Sequence, residues 1–292
     1  MKIDHSVTPS GQDIFVIKGR NAGPKFSVFG AVHGDEPCGA KAIEEIITYI
    51  QSDEITITSG QLTLVPICNP EAYDQGKRYI DENMNRIFST KSTSNSRESA
   101  HVKSLLNILK GQDYLLDIHS TSAKTQPFVF DDKNTSQTQI LAGAVYADYI
   151  INDWNVLYEN GTAGATTLDG AAELGVHSVC LECGQHDDPQ AVDIAFYSIL
   201  NCLKALGICD DISIPLPAHT IPQKLKMKSV VYKQNDDGAF SKNWKNFDAI
   251  KSGDTITMTA DNSPISIAND DGYILMPDHK CKAGEEWFYI AQ

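Results

Sequence analysis

The first two thirds of the chain alternate between two patterns of apolar residues. Short apolar stretches predict buried strands, and stretches in which apolar residues recur every three or four positions predict amphipathic helices. The predicted strands are DIFVIKG, FSVFGAV, QLTLVPIC, DYLLDIHS and HSVCLECG, and the predicted helices cover residues 37–50, 96–110 and 188–206. Because strands alternate with helices, the sequence predicts an α/β fold with a mostly parallel sheet and helices on both faces.

The pattern changes after about residue 208. The segment SIPLPAHTIPQK has three prolines in the eleven residues that follow Ser213, which indicates a linker. Beyond it, SVVYKQ, DTITMTA, GYILM and EWFYIA are separated by Gly, Asp, Asn and Pro, as is typical of short strands joined by turns. We therefore predict one domain over residues 1–208 and a small all-β domain over residues 209–292, with the proline-rich linker at its start.

The composition argues against several classes of function. A net charge of −14 does not suit general binding of nucleic acid, which needs a basic surface. The longest apolar runs are far shorter than a membrane span, and the N-terminus lacks the apolar core of a secretion signal. The seven cysteines are odd in number and follow no disulfide-scaffold spacing, so we expect reduced thiols and a cytoplasmic protein. The oligomeric state stays open, including a homo-oligomer.

Four metal-ligating or acid-base side chains follow the predicted strands. His33 ends one strand and Glu36 comes one turn later, His119 ends a second strand, and Glu182 lies near the end of a third. In open α/β sheets, ligands bind at the carboxyl ends of the strands. Two histidines and one carboxylate form the ligand set of a catalytic zinc that keeps one position for water. Gly34 would permit the sharp turn that this H-x-x-E spacing requires.

Other interpretations of the same residues remain open. Glu36 would also favour a helix N-terminus, and a lone histidine at a strand end is more often structural than a ligand. Glu182 is harder to dismiss, because a glutamate in an apolar strand needs a partner or a raised pKa. Asp117 shares a strand face with the second histidine and would orient its ring. Cys180 and Cys183 face opposite sides of a strand, so we do not expect them to bind a metal together.

The arginines are concentrated in one segment. The chain has four arginines against twenty lysines, and Arg78 and Arg86 both fall within NPEAYDQGKRYIDENMNRIF. The rigid fork of arginine suits carboxylates and oxyanions better than the point charge of lysine. A solvated loop with ordinary charges is the alternative. The asparagines at 69, 83 and 85 and the apolar end of this segment favour an ordered, substrate-facing loop.

Four motifs in this order resemble those of the succinylglutamate desuccinylase/aspartoacylase family of zinc carboxypeptidase-like hydrolases. They are HGDE, NPEAYDQGKRYIDENMNRIF, LLDIHST and LECGQ, and the resemblance covers roughly residues 25–205. It implies a doubly wound mixed sheet with helices on both faces and a C-terminal β domain that partly covers the site. It also implies one zinc per chain. The zinc ligands would be His33, Glu36 and His119, the catalytic carboxylate would be Glu182, and Arg78 would polarise the scissile carbonyl.

The resemblance further implies that Asn85 and Arg86 hold a carboxylate of the substrate. Aspartoacylases use a further tyrosine and arginine shortly before the catalytic glutamate, but NGTAGATTLDGAAELGVHS contains neither, and no arginine follows Arg97. The second clamp for a dicarboxylic substrate is therefore missing or replaced, for example by a lysine. Neither N-acetylaspartate nor N-succinylglutamate is assigned as the substrate for this reason.

The sequence thus predicts a zinc-dependent hydrolase of the amide bond in a small N-acyl amino acid or a related amide. A zinc carboxypeptidase acting on short peptides needs the same centre and an open groove. A non-catalytic binding protein on the same scaffold would need no metal. A thiol hydrolase that uses Cys38 or Cys183 is a more distant alternative, because no pairing of cysteine with histidine follows from the sequence.

Overall fold

A computed structural model describes residues 2–158, 164–210 and 212–292. The strands are β1 Ile3–Val7, β2 Asp13–Lys18, β3 Asn21–Gly30, β4 Ser59–Val65, β5 Tyr114–Thr121, β6 Phe128–Phe130, β7 Tyr149–Asn152, β8 His177–Gln185, β9 Gln223–Tyr232, β10 Ala239–Phe240, β11 Asp248–Ile250, β12 Thr255–Met258, β13 Pro264–Ile267, β14 Gly272–Leu275 and β15 Glu286–Ala291. The helices are α1 Cys38–Gln51, α2 Pro70–Asp74, α3 Arg97–Leu109, α4 Thr138–Ala144, α5 Thr167–Glu173 and α6 Pro189–Ala205, with 3₁₀ turns at Met84–Arg86 and Asn155–Leu157.

Twelve strands form one mixed sheet in the order β1-β2-β4-β3-β5-β8-β6-β7-β9-β15-β14-β11. At its centre, β4, β3, β5 and β8 run parallel, and β6 joins β8 in the antiparallel direction. A separate three-stranded sheet has the order β10-β12-β13. Because β3, β5 and β8 are parallel neighbours, the residues at their carboxyl ends meet at one edge of the sheet.

Helices cover both faces of the parallel centre. On one face, α1 and α6 pack on the strands through a large apolar cluster that includes Ile43 and Ile199. On the other face, α3 and α5 contribute to a second cluster that includes Leu105 and Ala171. Alternate residues of β5 belong to the two clusters, because successive side chains of a strand point to opposite faces. This is the predicted doubly wound arrangement.

The three predicted helices lie within one or two residues of α1, α3 and α6. Pro37 stands at the N-cap of α1. The side chain of Ser96 caps α3 by accepting from the backbone N–H of Ser99. Asp188 caps α6 in the same way, and Pro189 occupies its first turn, where a missing N–H costs no helical hydrogen bond.

The predicted C-terminal strands are present: three of them, β9, β14 and β15, extend the main sheet, and the fourth forms β12 of the three-stranded sheet. β9 pairs in parallel with β7, and β15, β14 and β11 follow it in antiparallel order. Two apolar clusters lie in this region, one of them around Trp244, Trp287 and Phe288. The domain boundary at residue 208 stays a prediction.

Within the described residues, no helix has both the length and the apolar character needed to cross a membrane.

Candidate metal centre and active site

The fold brings the predicted site residues to one edge of the sheet. His33 and Glu36 lie in the connection between β3 and α1, and His119 lies near the end of β5. Glu182 of β8 is the register partner of His119 on the neighbouring strand. Side chains at paired positions of adjacent strands point to the same face, so Glu182 lies beside the histidine.

Three of these side chains converge on one point. The Nδ1 atom of His33 lies 2.9 Å from Oε1 of Glu36, and the Nδ1 atom of His119 lies 2.7 Å from Oε2 of the same carboxylate. Each of the three side chains is at most 3% exposed. Ligand atoms of all three lie within 4.8 Å of one another, so they could hold one metal ion.

The far nitrogens of both histidines face acceptors. The Nε2 atom of His33 lies 2.9 Å from Oδ1 of Asn83, and that of His119 lies 2.8 Å from Oδ2 of Asp117. Asn83 Oδ1 also accepts from the backbone N–H of Asn85, and Asp117 Oδ2 also accepts from the hydroxyl of Thr167, so both oxygens act as acceptors. An Nε2–H group on each ring would therefore meet an acceptor, and the Nδ1 atoms of both rings face Glu36.

This arrangement fits a cation. His33 and His119 hold the pKa of Glu36 well below its ordinary value against the opposing effect of burial, so the carboxylate is ionised and only accepts. Burial alone would lower the pKa of His119, but the charges of Asp117 and Glu36 outweigh burial and raise it well above the ordinary value. The site attracts positive charge, and two imidazoles with one carboxylate are donors that suit zinc.

Glu182 differs from Glu36 in its surroundings. Its side chain is half-buried, and its Oε2 atom is withdrawn from solvent without a hydrogen-bond partner among the described residues. Burial raises the pKa of Glu182 to about 8, together with the negative charge of Glu36 and against the opposing charges of His119 and Arg78. A carboxyl group with this pKa can both release and take up a proton near neutral pH. A cation at the neighbouring ligands would lower the value, because an opposite charge favours the ionised form.

The predicted arginine-rich segment lies against the ligands at its start. Nη1 of Arg78 donates to Oε1 of Glu36 at 2.7 Å, and the backbone carbonyl of Arg78 accepts from Gly34 N–H at 3.3 Å. The Arg78 side chain is 47% exposed, so its guanidinium also reaches solvent. The structure thus brings Arg78 together with the predicted ligands.

Asn85 and Arg86 lie further along the same segment. Asn85 Oδ1 accepts from the backbone N–H of Thr167, and Nη1 of Arg86 donates to the backbone carbonyl of Asn85 at 2.8 Å. Arg86 is exposed and, with Ser89 and Lys91, lines an open cleft of about 680 Å³. Among the described residues, no hydrogen bond or ion pair joins Asn85 or Arg86 to the three ligands.

The structure requires a glycine at position 34 for a different reason from the predicted one. Its φ is outside the left-handed region, which Ala31 occupies instead with a φ of 46°. A Cβ atom on Gly34 would lie 2.2 Å from the backbone carbon of Ala72 in α2. The glycine is needed for the close approach of α2 and not for the turn itself.

The cysteines separate as predicted. Cys180 points to the face of Asp117 and His119, whereas Cys183 points to the opposite face and belongs, with Cys38, to the apolar core. Cys38 and Cys183 are each 1% exposed. A substrate has no access to either thiol in this arrangement.

Several polar contacts of the site were not predicted. Ser120 donates its backbone N–H to Glu36 Oε2 at 3.2 Å, and its hydroxyl lies 2.8 Å from Nδ1 of His186. Asn83, which was noted only as part of an ordered segment, and Thr167 support the two histidines. These partners are distant in sequence, so a local pattern gives no signal for them.

Comparison with known proteins agrees with this geometry. The family model described as succinylglutamate desuccinylase/aspartoacylase catalytic domain matches residues 22–202, which is more than half of the chain. The chain belongs to this family. It is thereby a member of a deacylase family of amidohydrolases.

Its relatives are distant. A "Probable aspartoacylase" from a Nostoc species is 32% identical over 108 residues, a match that spans 34% of this chain and 36% of that protein. A succinylglutamate desuccinylase from Vibrio vulnificus is 22% identical over 264 residues, covering 87% of this chain and 76% of that protein. The crystal structure of a succinylglutamate desuccinylase/aspartoacylase from Rhodobacter sphaeroides superposes with a TM-score of 0.76 at 18% identity, covering 99% and 94% of the two chains. The zinc carboxypeptidase-like fold class is confirmed.

Proposed function

We propose that this chain is a zinc-dependent hydrolase that cleaves the amide bond of a small N-acyl amino acid or a related amide. One observation carries the proposal: the Nδ1 atoms of two buried imidazoles and both oxygens of a buried carboxylate converge on one point, beside a second carboxyl group with a raised pKa. The first group of atoms suits a divalent cation, and the second suits an acid-base catalyst.

His33, Glu36 and His119 would hold the zinc. When bound, zinc supplies Lewis acidity, which polarises a carbonyl group and makes water a stronger acid. Asn83 and Asp117 keep the two imidazole rings in the tautomer that such a site requires, because each accepts from an Nε2–H group.

Glu182 is the acid-base residue in this proposal. It takes a proton from the attacking water and delivers it to the departing amine nitrogen. Its Oε2 atom has no protein partner in the described chain, which leaves it available for this transfer. A pKa of about 8, lowered by a neighbouring cation, falls in the range where a carboxyl group exchanges protons at neutral pH.

Arg78 would donate to the oxygen that becomes negative as the carbonyl is attacked. Its guanidinium has five N–H donors, and one of them bonds Glu36, so donors remain for a substrate oxygen. Asn85 and Arg86 would bind a carboxylate of the substrate. The exposed guanidinium of Arg86 opens on the cleft that also contains Lys91, and this lysine is a candidate for the missing second clamp.

The test has two arms on the same purified protein. Metal analysis should find about one zinc per chain, and a panel of N-acyl amino acids that vary the acyl group and the amine should contain substrates whose hydrolysis a chelator abolishes. A short peptide panel run in parallel distinguishes a carboxypeptidase. A protein that holds no zinc and hydrolyses no amide or peptide would favour the metal-free, non-catalytic binding protein. Activity that resists a chelator and is lost to a thiol-blocking reagent would contradict the proposal.

A further inference from the structure

The segment between Arg78 and Asn83 has no regular secondary structure. Its two ends nevertheless contact two of the proposed zinc ligands. Arg78 bonds Oε1 of Glu36 at the start, and Asn83 accepts from His33 at the end. The position of this segment therefore determines how both ligands are oriented.

One buried carboxylate holds the middle of the segment. Oε1 of Glu98 accepts from the backbone N–H groups of Ile80 at 2.6 Å and Asp81 at 3.2 Å. Its Oε2 atom accepts from Asp81 at 3.3 Å and from Glu82 at 3.2 Å. Glu98 lies in the first turn of α3 and is fully buried. No backbone carbonyl of the described chain accepts from these three N–H groups.

We propose that Glu98 is a positioning residue for the metal centre: by binding three consecutive backbone N–H groups, it fixes the segment whose ends orient Glu36 and His33. The inference rests on the proposed zinc hydrolase and extends it to a residue that contacts neither ligand. Glu98 acts through the backbone, so its effect reaches the centre from the adjacent helix α3.

A carboxylate is the side chain that this position requires. An ionised carboxylate only accepts hydrogen bonds and offers both oxygens, which suits three converging donors. In Glu98→Gln the amide NH₂ group would face a backbone N–H, so at least one donor would lose its partner in a buried place. Buried donors without partners are costly, and the segment would move to satisfy them.

The experiment measures zinc affinity directly, by competition between the full-length protein and a chromogenic chelator. Glu98→Gln and Glu98→Ala should bind zinc about tenfold more weakly, the lower end of the effect of residues that orient metal ligands. Hydrogen exchange of the backbone amides of residues 78–83 should also become faster in both variants. Where the alanine protein does not fold, Glu98→Gln is the deciding variant, because glutamine keeps the volume of glutamate.

Glu173 provides a matched control. Its carboxylate accepts from the hydroxyl of Ser89 and from the backbone N–H of Thr90, so it also holds a loop, but that loop has no bond to a ligand. Glu173→Gln should lower the melting temperature slightly and leave zinc affinity within twofold of wild type. A loss of affinity in the Glu98 variants that is absent from this control supports the inference.

Three other outcomes would contradict the proposed function or this inference. Wild-type protein that does not bind zinc contradicts the proposed function, and with it this inference. Wild-type protein that binds zinc, with Glu98 variants that fold and bind it equally well, overturns the inference alone. A Glu173→Gln protein that loses as much zinc affinity as Glu98→Gln would also overturn it, because the effect would then be a general loss of stability.

Discussion

The two halves of the candidate site are held in different ways. Asp117, His119 and Glu182 stand on β5 and β8, where sheet hydrogen bonds and packing on both faces fix each backbone position. Residues 78–86 stand on a connection whose order depends on side chains, Glu98 above all. We call these the strand half and the loop half.

The comparison shows that the two halves carry different kinds of functional group. In the proposed mechanism, the strand half carries the groups that must not move, namely the ligand His119, the Asp117 carboxylate that orients its ring, and the acid-base carboxyl of Glu182. The loop half carries the groups that are proposed to meet the substrate, and these are more exposed, as Arg78 at 47% illustrates. Function is often placed on loops that a rigid scaffold positions. The predictions below test whether the two halves fail in different ways.

The largest loss of activity should come from a substitution in the strand half. Glu182→Gln should keep bound zinc and lower kcat by roughly 10²–10⁴-fold, because an amide cannot accept the proton of water. Glutamine has nearly the same size, so the packing of β8 is preserved. Zinc content and rate are measured on the same sample, and a near-normal rate at normal zinc content would remove Glu182 from the mechanism.

Arg78 of the loop half should have the next largest effect. In the proposed reaction it meets charge that develops only in the transition state, so Arg78→Ala should lower kcat by roughly 10²–10³-fold and change KM little. Because Arg78 also bonds Glu36, zinc content must be checked in the variant. A rise in KM with unchanged kcat would instead place Arg78 in ground-state binding.

The strand half was largely predictable from the sequence. The strands that carry His119 and Glu182 have long apolar patterns, and the order of parallel strands then brings their ends together. The prediction did not include β6 and β7, because strands of three and four residues are too short to show a period. It also did not foresee that β9 pairs with β7, since a local pattern does not identify the partner of a strand.

The side chains that connect the loop half to the rest of the site were not predictable from the sequence. Asn83 and His33 are 50 residues apart in the sequence. Glu98 is an acidic residue in the first turn of a helix, a common position that gives no sign of a further role. Their roles depend on where α3 and the loop meet in space. The motif resemblance placed Arg78, Asn85 and Arg86 in the site, and the roles of these residues stay predictions.

The two residues that orient the histidines give a direct comparison of the halves. Asp117→Asn in the strand half should weaken zinc binding by about 100-fold, and Asn83→Ala in the loop half by about tenfold, within the range known for such partners. The buried charge of Asp117 supports His119 more strongly than the neutral amide supports His33. Chelator competition measures both affinities. Unchanged zinc affinity in Asp117→Asn would show that the charge of Asp117 adds nothing beyond its hydrogen bond.

The smallest effect should come from Arg86, at the outer end of the loop half. It is proposed to hold a substrate carboxylate that is already charged in the ground state, so its removal should act on KM more than on kcat. Because the guanidinium is exposed, Arg86→Ala should raise KM only about tenfold, the lower end for a hydrogen bond between charged groups. Arg86→Lys should not restore KM, since lysine cannot form the bidentate pair.

Lys91→Ala is the matched variant, because Lys91 lines the same cleft. If it raises KM for dicarboxylic substrates alone, the lysine supplies the second clamp. Steady-state kinetics on the best substrate of the acyl amino acid panel measure all three variants. An unchanged KM in Arg86→Ala for a carboxylate-bearing substrate would show that the carboxylate binds elsewhere in the site.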